Sequence, residues 1–138
     1  MDQEIESIFK NCKRIAVVGI SDKPFRDSYR VAQFMKQEGY TVIPVNPNLD
    51  KVLGLKCYPT LSDIPETVDL VDIFRRPEVV EPIVDEAIQI GAKAVWLQLG
   101  VVNEAAADKA RAAGLQVVMD RCWKIEYQKR QAEADSRK

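Results

Sequence analysis

Five cations stand in two short stretches of this 138-residue sequence: Lys23, Arg26 and Arg30 in one, Arg75 and Arg76 in the other. Each stretch follows an apolar, β-branched run, Ile15-Ala16-Val17-Val18-Gly19 and Asp69-Leu70-Val71-Asp72-Ile73-Phe74. Guanidinium groups make short, often bidentate hydrogen bonds to phosphate oxygens, and the open N–H groups at a helix start add to that attraction. A ligand carrying several phosphates therefore fits this grouping better than a neutral metabolite. A single surface arginine is more often solvated than functional; the argument rests on the group. The chain as a whole is nearly neutral, with 20 Lys and Arg against 21 Asp and Glu. That balance offers no polycationic face for a nucleic acid.

Several chemistries are excluded outright. The chain has no histidine, so a Ser-His-Asp triad, a Cys-His pair, an HExxH zinc site and a phosphohistidine are all impossible within it. Cys12, Cys57 and Cys122 are odd in number and form no CxxC, which argues against a zinc site or a disulfide framework. The acidic start, Met1-Asp2-Gln3-Glu4, lacks the features of a secretory signal, and no apolar run is long enough to cross a bilayer. A cytoplasmic protein with reduced thiols and no membrane partner is the expectation.

The positioning elements alternate. Strands are expected over Ile15–Gly19, Thr41–Val45, Asp69–Phe74, Ala94–Gln98 and Gln116–Met119, with Leu55–Tyr58 as a short edge strand. Helical spacing runs from Ser28 to Glu38, from Pro77 to Gly91, and from the Asn103 cap to Ala113. Pro44 cannot donate to a ladder, which disfavours a central position for its strand. Such alternation predicts an α/β, Rossmann-like three-layer sandwich: a mainly parallel sheet of five or six strands with helices on both faces. One domain is expected over 1–128, followed by a charged tail over 129–138, polar enough to fray.

Ligands of such sheets bind beyond the strand C-termini, where the strand order reverses. Here that crevice should lie between the first strand and the strand ending at Phe74. Gly19 matches the first glycine of GxGxxG, but Ser21 and Pro24 replace the second and third. The second strand ends in Asn46, where an NAD enzyme usually places a carboxylate for the ribose. Both departures weaken a dinucleotide reading.

Taken in order, Val17-Val18-Gly19-Ile20-Ser21, Gly39-Tyr40-x-Val42-Ile43-Pro44-Val45-Asn46-Pro47, Asp72-Ile73-Phe74-Arg75, Gly91-Ala92-Lys93-x-Val95-Trp96-Leu97-Gln98-x-Gly100 and Asp120-Arg121-Cys122 resemble the small stand-alone CoA-binding proteins. That family is related to the CoA-binding part of the succinyl-CoA synthetase α subunit. The likeness implies coenzyme A or an acyl-CoA as the ligand. It implies that Gly19, Ile20 and Ser21 approach the pyrophosphate, with Arg26 or Arg30 nearby. Asn46, Pro47 and Lys51 would border the adenosine 3′-phosphate, and Phe74 and Arg75 the adenine and ribose side. Gln98, Arg121 and Cys122 would lie along the pantetheine arm. Trp96, in mid-strand, reads as a core residue.

The related ligases pass phosphate through a histidine outside this domain. With no histidine and no convincing nucleophile–base or carboxylate pair, the expected role is non-catalytic binding, as a carrier, sensor or partner subunit. The competing class is an enzyme, either an NAD(P)-dependent oxidoreductase or a transferase using CoA. Whether the chain pairs with another protein or with itself is left open by its sequence.

Overall fold

The computed structural model describes residues 2–137. Helix α1 (Asp2–Asn11) leads into β1 (Arg14–Val18), α2 (Asp27–Gln37) and β2 (Thr41–Val45). Two very short strands follow, β3 (Lys51–Val52) and β4 (Leu55–Lys56), then β5 (Leu70–Ile73) and α3 (Val80–Gln89). The chain closes with β6 (Ala94–Leu97), α4 (Glu104–Ala112), β7 (Gln116–Met119) and α5 (Trp123–Ser136).

The five longer strands form one wholly parallel sheet in the order β2-β1-β5-β6-β7. Its central strands are apolar on both faces, as a doubly covered sheet requires. One face packs on α3 and α4 through Val80, Val84, Ala87, Ala106, Ala107 and Ala110. The other packs on α1, α2 and α5 through Ile5, Ile8, Val31, Ala32, Met35 and Trp123. With the β3–β4 hairpin set aside, the strand order is that of a doubly wound fold, and its reversal point lies between β1 and β5. The expected Rossmann-like three-layer architecture is the one observed.

Local chemistry accounts for the boundaries. Asn103 caps α4, its Oδ1 accepting from the Ala106 N–H at 3.0 Å while its Nδ2 donates to the Pro77 carbonyl at 2.9 Å. A 3-10 turn, Pro77–Val79, opens α3 with proline at its first position. Pro44 is tolerated because β2 is an edge strand. Its missing N–H costs no ladder bond there, and its carbonyl accepts from the Tyr58 N–H at 3.0 Å.

Two expectations are corrected. The segment Leu55–Tyr58 is not one edge strand of the sheet: Leu55–Lys56 pairs antiparallel with Lys51–Val52, and Tyr58 makes a single bridge to Val45. Leu53 and Gly54, both at positive φ, form the tight turn between them. The polar stretch after Gln128 is helix as far as Ser136 rather than frayed coil. Arg130 holds it down, reaching Glu126 Oε1 at 3.2 Å, Asp2 at 3.7 Å and the face of Phe9.

Candidate functional site

Above the C-terminal ends of β5 and β6 lies a cavity of about 680 Å³. Its walls come from the first turns of α2 and α5 and from the loops after β5 and β6. Arg30, Arg75, Arg76 and Lys124 line it against a single carboxylate, Asp27. The local balance is thus strongly positive in a chain of net charge −1. Val31, Phe74, Leu99, Val101 and Ile125 supply apolar wall, and Leu99 is 66% and Ile125 47% exposed. A cavity lined by both cations and apolar side chains suits a long ligand that carries phosphates.

Gly19 is required by this geometry. It sits at φ +84°, and a Cβ there would run into the Phe74 carbonyl oxygen and come within 2.7 Å of Arg75 Cδ. The loops after β1 and β5 are therefore in close contact, with the Arg75 side chain lying across Gly19. Beside them, Arg26 is the N-cap residue of α2 and makes no capping side-chain bond. The amides of that first turn have no side chain from Arg26 to close them.

Of the sequence-predicted residues, Arg30, Phe74, Arg75, Gln98 and Cys122 line the cavity. The others are arranged around it or elsewhere. Ile20 is fully buried in the core, so only its backbone faces the loop; its carbonyl accepts from Asn46 Nδ2 at 2.8 Å. Asn46 is further engaged by the Asn48 N–H at 2.8 Å, which makes its carboxamide a clasp between the loops after β1 and β2. The Ser21 N–H donates to Ser28 Oγ at 2.9 Å, and Ser21 Oγ accepts from the Lys23 N–H. The Arg26 guanidinium rests over Phe25. Pro47 is exposed, and Lys51 stands on the hairpin opposite Lys56, away from the cavity wall. Arg121 reaches Glu126 at 3.7 Å, and its carbonyl accepts from the Trp96 indole N–H at 2.8 Å. Trp96 itself is completely buried.

One residue that sequence reasoning did not place is Asp72. It is fully buried in mid-strand, and Gln98 Nε2 donates to its Oδ1 at 2.7 Å. Its Oδ2 has no partner. Burial pushes its carboxyl up to about 8, partly opposed by the Gln98 bond. The available signal was an acidic residue interrupting Leu70-Val71-Asp72-Ile73, a run otherwise suited to a doubly covered strand. Gln98, only 3% exposed, is thereby oriented, its Nε2 turned to Asp72. Lys124 and Ile125 were missed because α5 lacks a continuous apolar stripe from which to predict it.

Fold and cavity together define a Rossmann-like α/β domain with a ligand cleft at its strand-order reversal. The chain belongs to the CoA binding domain family, whose model matches residues 13–128. An uncharacterized protein of Bacillus subtilis strain 168, YneT, is 41% identical over 124 residues, which is 90% of this chain and 92% of that one. The ADP-forming acetate–CoA ligase II of Archaeoglobus fulgidus is 39% identical over 95 residues, or 67% of this chain but 14% of the ligase. The solved structure of a hypothetical protein from Pyrococcus horikoshii OT3 superposes with a TM-score of 0.90 at 43% identity, covering 94% of this chain and 91% of that one. The chain thus spans nearly the whole of small relatives and a small part of the ligases.

Proposed function

We propose that this protein binds coenzyme A or an acyl-CoA in the cavity at the strand C-termini, without catalysing a reaction on it. It would serve in the cytoplasm as a carrier, a sensor or the partner subunit of an enzyme. The observation that carries this reading is the cavity itself, lined by Arg30, Arg75, Arg76 and Lys124 together with apolar Phe74, Leu99 and Ile125, in a chain of the CoA binding domain family. The phosphates would meet the arginines and the loop at Gly19, and the pantetheine arm would run past Phe74 and Gln98 toward Cys122. Ser21, Arg26, Asn46, Pro47, Lys51 and Arg121 remain candidates for contact with the outer parts of a ligand too long for the cavity alone. The ligase relatives' activity is not carried over, since the chain matches only a fraction of their length and has no histidine to relay phosphate.

Isothermal titration with CoA, dephospho-CoA, NAD and NADP tests this reading. CoA should bind, with dephospho-CoA weaker through loss of the 3′-phosphate. Tight NADH or NAD binding with no response to CoA would replace it with an oxidoreductase. Arg75→Ala should weaken CoA by roughly 1–3 kcal/mol if its guanidinium meets phosphate, and an unchanged affinity removes Arg75 from the site.

A further inference from the structure

Among the described residues, four large apolar side chains stand well exposed: Phe25 at 64%, Leu99 at 66%, Val102 at 46% and Ile125 at 47%. All four lie on the C-terminal rim of the sheet. Phe25 belongs to the loop after β1, Leu99 and Val102 to the loop after β6, and Ile125 to the first turn of α5, after β7. Exposed apolar residues scattered singly are ordinary, but a group of them around one opening marks a binding surface. Leu99 and Ile125 line the cavity, and so does Val101, which is turned inward between its exposed neighbours Gly100 and Val102.

The loop that carries Leu99 and Val102 is tied down on both sides. The Gly100 N–H donates to Asp120 Oδ1 at 2.7 Å, the Val101 N–H to the Gln98 carbonyl at 2.8 Å, and Asn103 Nδ2 to the Pro77 carbonyl at 2.9 Å. A fixed backbone thus presents apolar side chains to water, a cost that a covering group removes. That group is small, since a stable protein interface takes about 20–30 residues a side. It is also joined to an anionic ligand, because the cavity that Leu99 and Ile125 line carries Arg30, Arg75, Arg76 and Lys124 against one carboxylate. The Nζ of Lys124, next to Ile125 in sequence, lies over the Phe34 ring at 5.3 Å and is so drawn toward α2. The patch therefore suits a neutral hydrocarbon rather than a charged group.

We propose that the cavity's ligand is an acyl-CoA with a neutral hydrocarbon acyl group, and that Leu99, Val102 and Ile125 cover that group. This rests on the coenzyme A reading above and adds the class of substrate to it. In that reading the pantetheine arm ends toward Cys122, the N-cap of α5. Ile125 stands three residues further on, about one helical turn away. A thioester at the end of the arm would carry its acyl chain out of the cleft onto Ile125 and Leu99. No bond is made or broken; the chain is held by burial alone. Each methylene fully covered should raise affinity about fourfold, and each half-covered one about twofold.

Isothermal titration with CoA and with acetyl-, butanoyl-, hexanoyl- and octanoyl-CoA tests it, each affinity being read as a ratio to that of CoA. The ratio should climb by roughly two- to fourfold per methylene from acetyl to hexanoyl. Succinyl-CoA should bind more weakly than butanoyl-CoA, since its carboxylate would be laid on apolar side chains. Leu99→Asn and Ile125→Asn should each flatten the climb. Because the readout is a ratio, a general loss of affinity in a variant does not imitate that result, and the wild-type series decides the matter even where a variant misfolds. A climb equally steep in both folded variants, or tighter binding of succinyl-CoA, overturns the proposal. Light scattering tests the competing occupant: a dimer of the ligand-free protein that Leu99→Asn dissociates assigns the patch to a second copy and overturns it too. CoA that binds while the acyl series stays flat overturns the acyl site alone. Failure of the wild type to bind CoA or any of the thioesters overturns the underlying reading and this one with it.

Discussion

Arg75 and Gly19 depend on one another. The arginine stem crosses the only kind of residue that leaves it room, and the Phe74 carbonyl occupies the space a methyl group would need. Gly19→Ala combines that collision with a positive φ that L-residues avoid. The variant should lose more than about 2 kcal/mol in urea unfolding, and any folded fraction should bind the ligand more weakly as Arg75 is displaced. A stable variant of unchanged affinity would show that the two loops can part. Asp72 and Gln98 form the second interdependent pair, one orienting the other.

Among the elements, α5 closes one wall of the cavity and was hardest to foresee. Its hold on the body is aromatic: Trp123 stacks on Tyr127 at 5.2 Å and meets Phe9 and Tyr40 edge-on, each at 5.1 Å. Trp123→Ala should cost about 3–5 kcal/mol and loosen the wall that carries Cys122, Lys124 and Ile125. Chemical denaturation and titration read the two effects separately. The sheet strands were legible as short continuous apolar runs and the helices between them by their period of 3.6, with Asn103 and Pro77 marking two helix starts. The order reversal between β1 and β5 followed from the alternation once a Rossmann-like strand order was taken with it. The hairpin was not legible, since two paired residues a side are too few to set a pattern. Nor was the last helix, whose stability comes from partners distant in sequence, Phe9, Asp2 and Tyr40. Asn46 and Lys51 show the same limit for the site. Both follow β2, where a sheet of this kind carries a ligand loop, but the side-chain bonds that commit Asn46 to Ile20 and Asn48 exist only in the fold.

For the molecule as a whole, the buried carboxyl of Asp72 links stability to pH. Its folded value, raised by burial to about 8, lies above the unfolded carboxylate value of about 3.9. The neutral form is therefore favoured by folding, and ionisation opposes it. The contribution of Asp72 is fully present below about pH 4 and is lost as pH rises toward about 8. Urea midpoints across that range should fall with a component that Asp72→Asn removes, because the amide keeps the shape and an acceptor for Gln98 but cannot ionise. A variant whose profile still matches the wild type would assign the slope to other groups.

The two rims of the sheet are closed by different devices. On β2, Pro44 brings no N–H and the Tyr58 backbone covers its carbonyl; on β7, the Glu4 carboxylate of α1 accepts from the Val117 N–H at 3.2 Å. At these two positions the margins offer no free donor to a foreign strand. A partner docking at the mouth of the cleft would meet the ligand there, so that docking and occupancy would compete for, or share, the same ground.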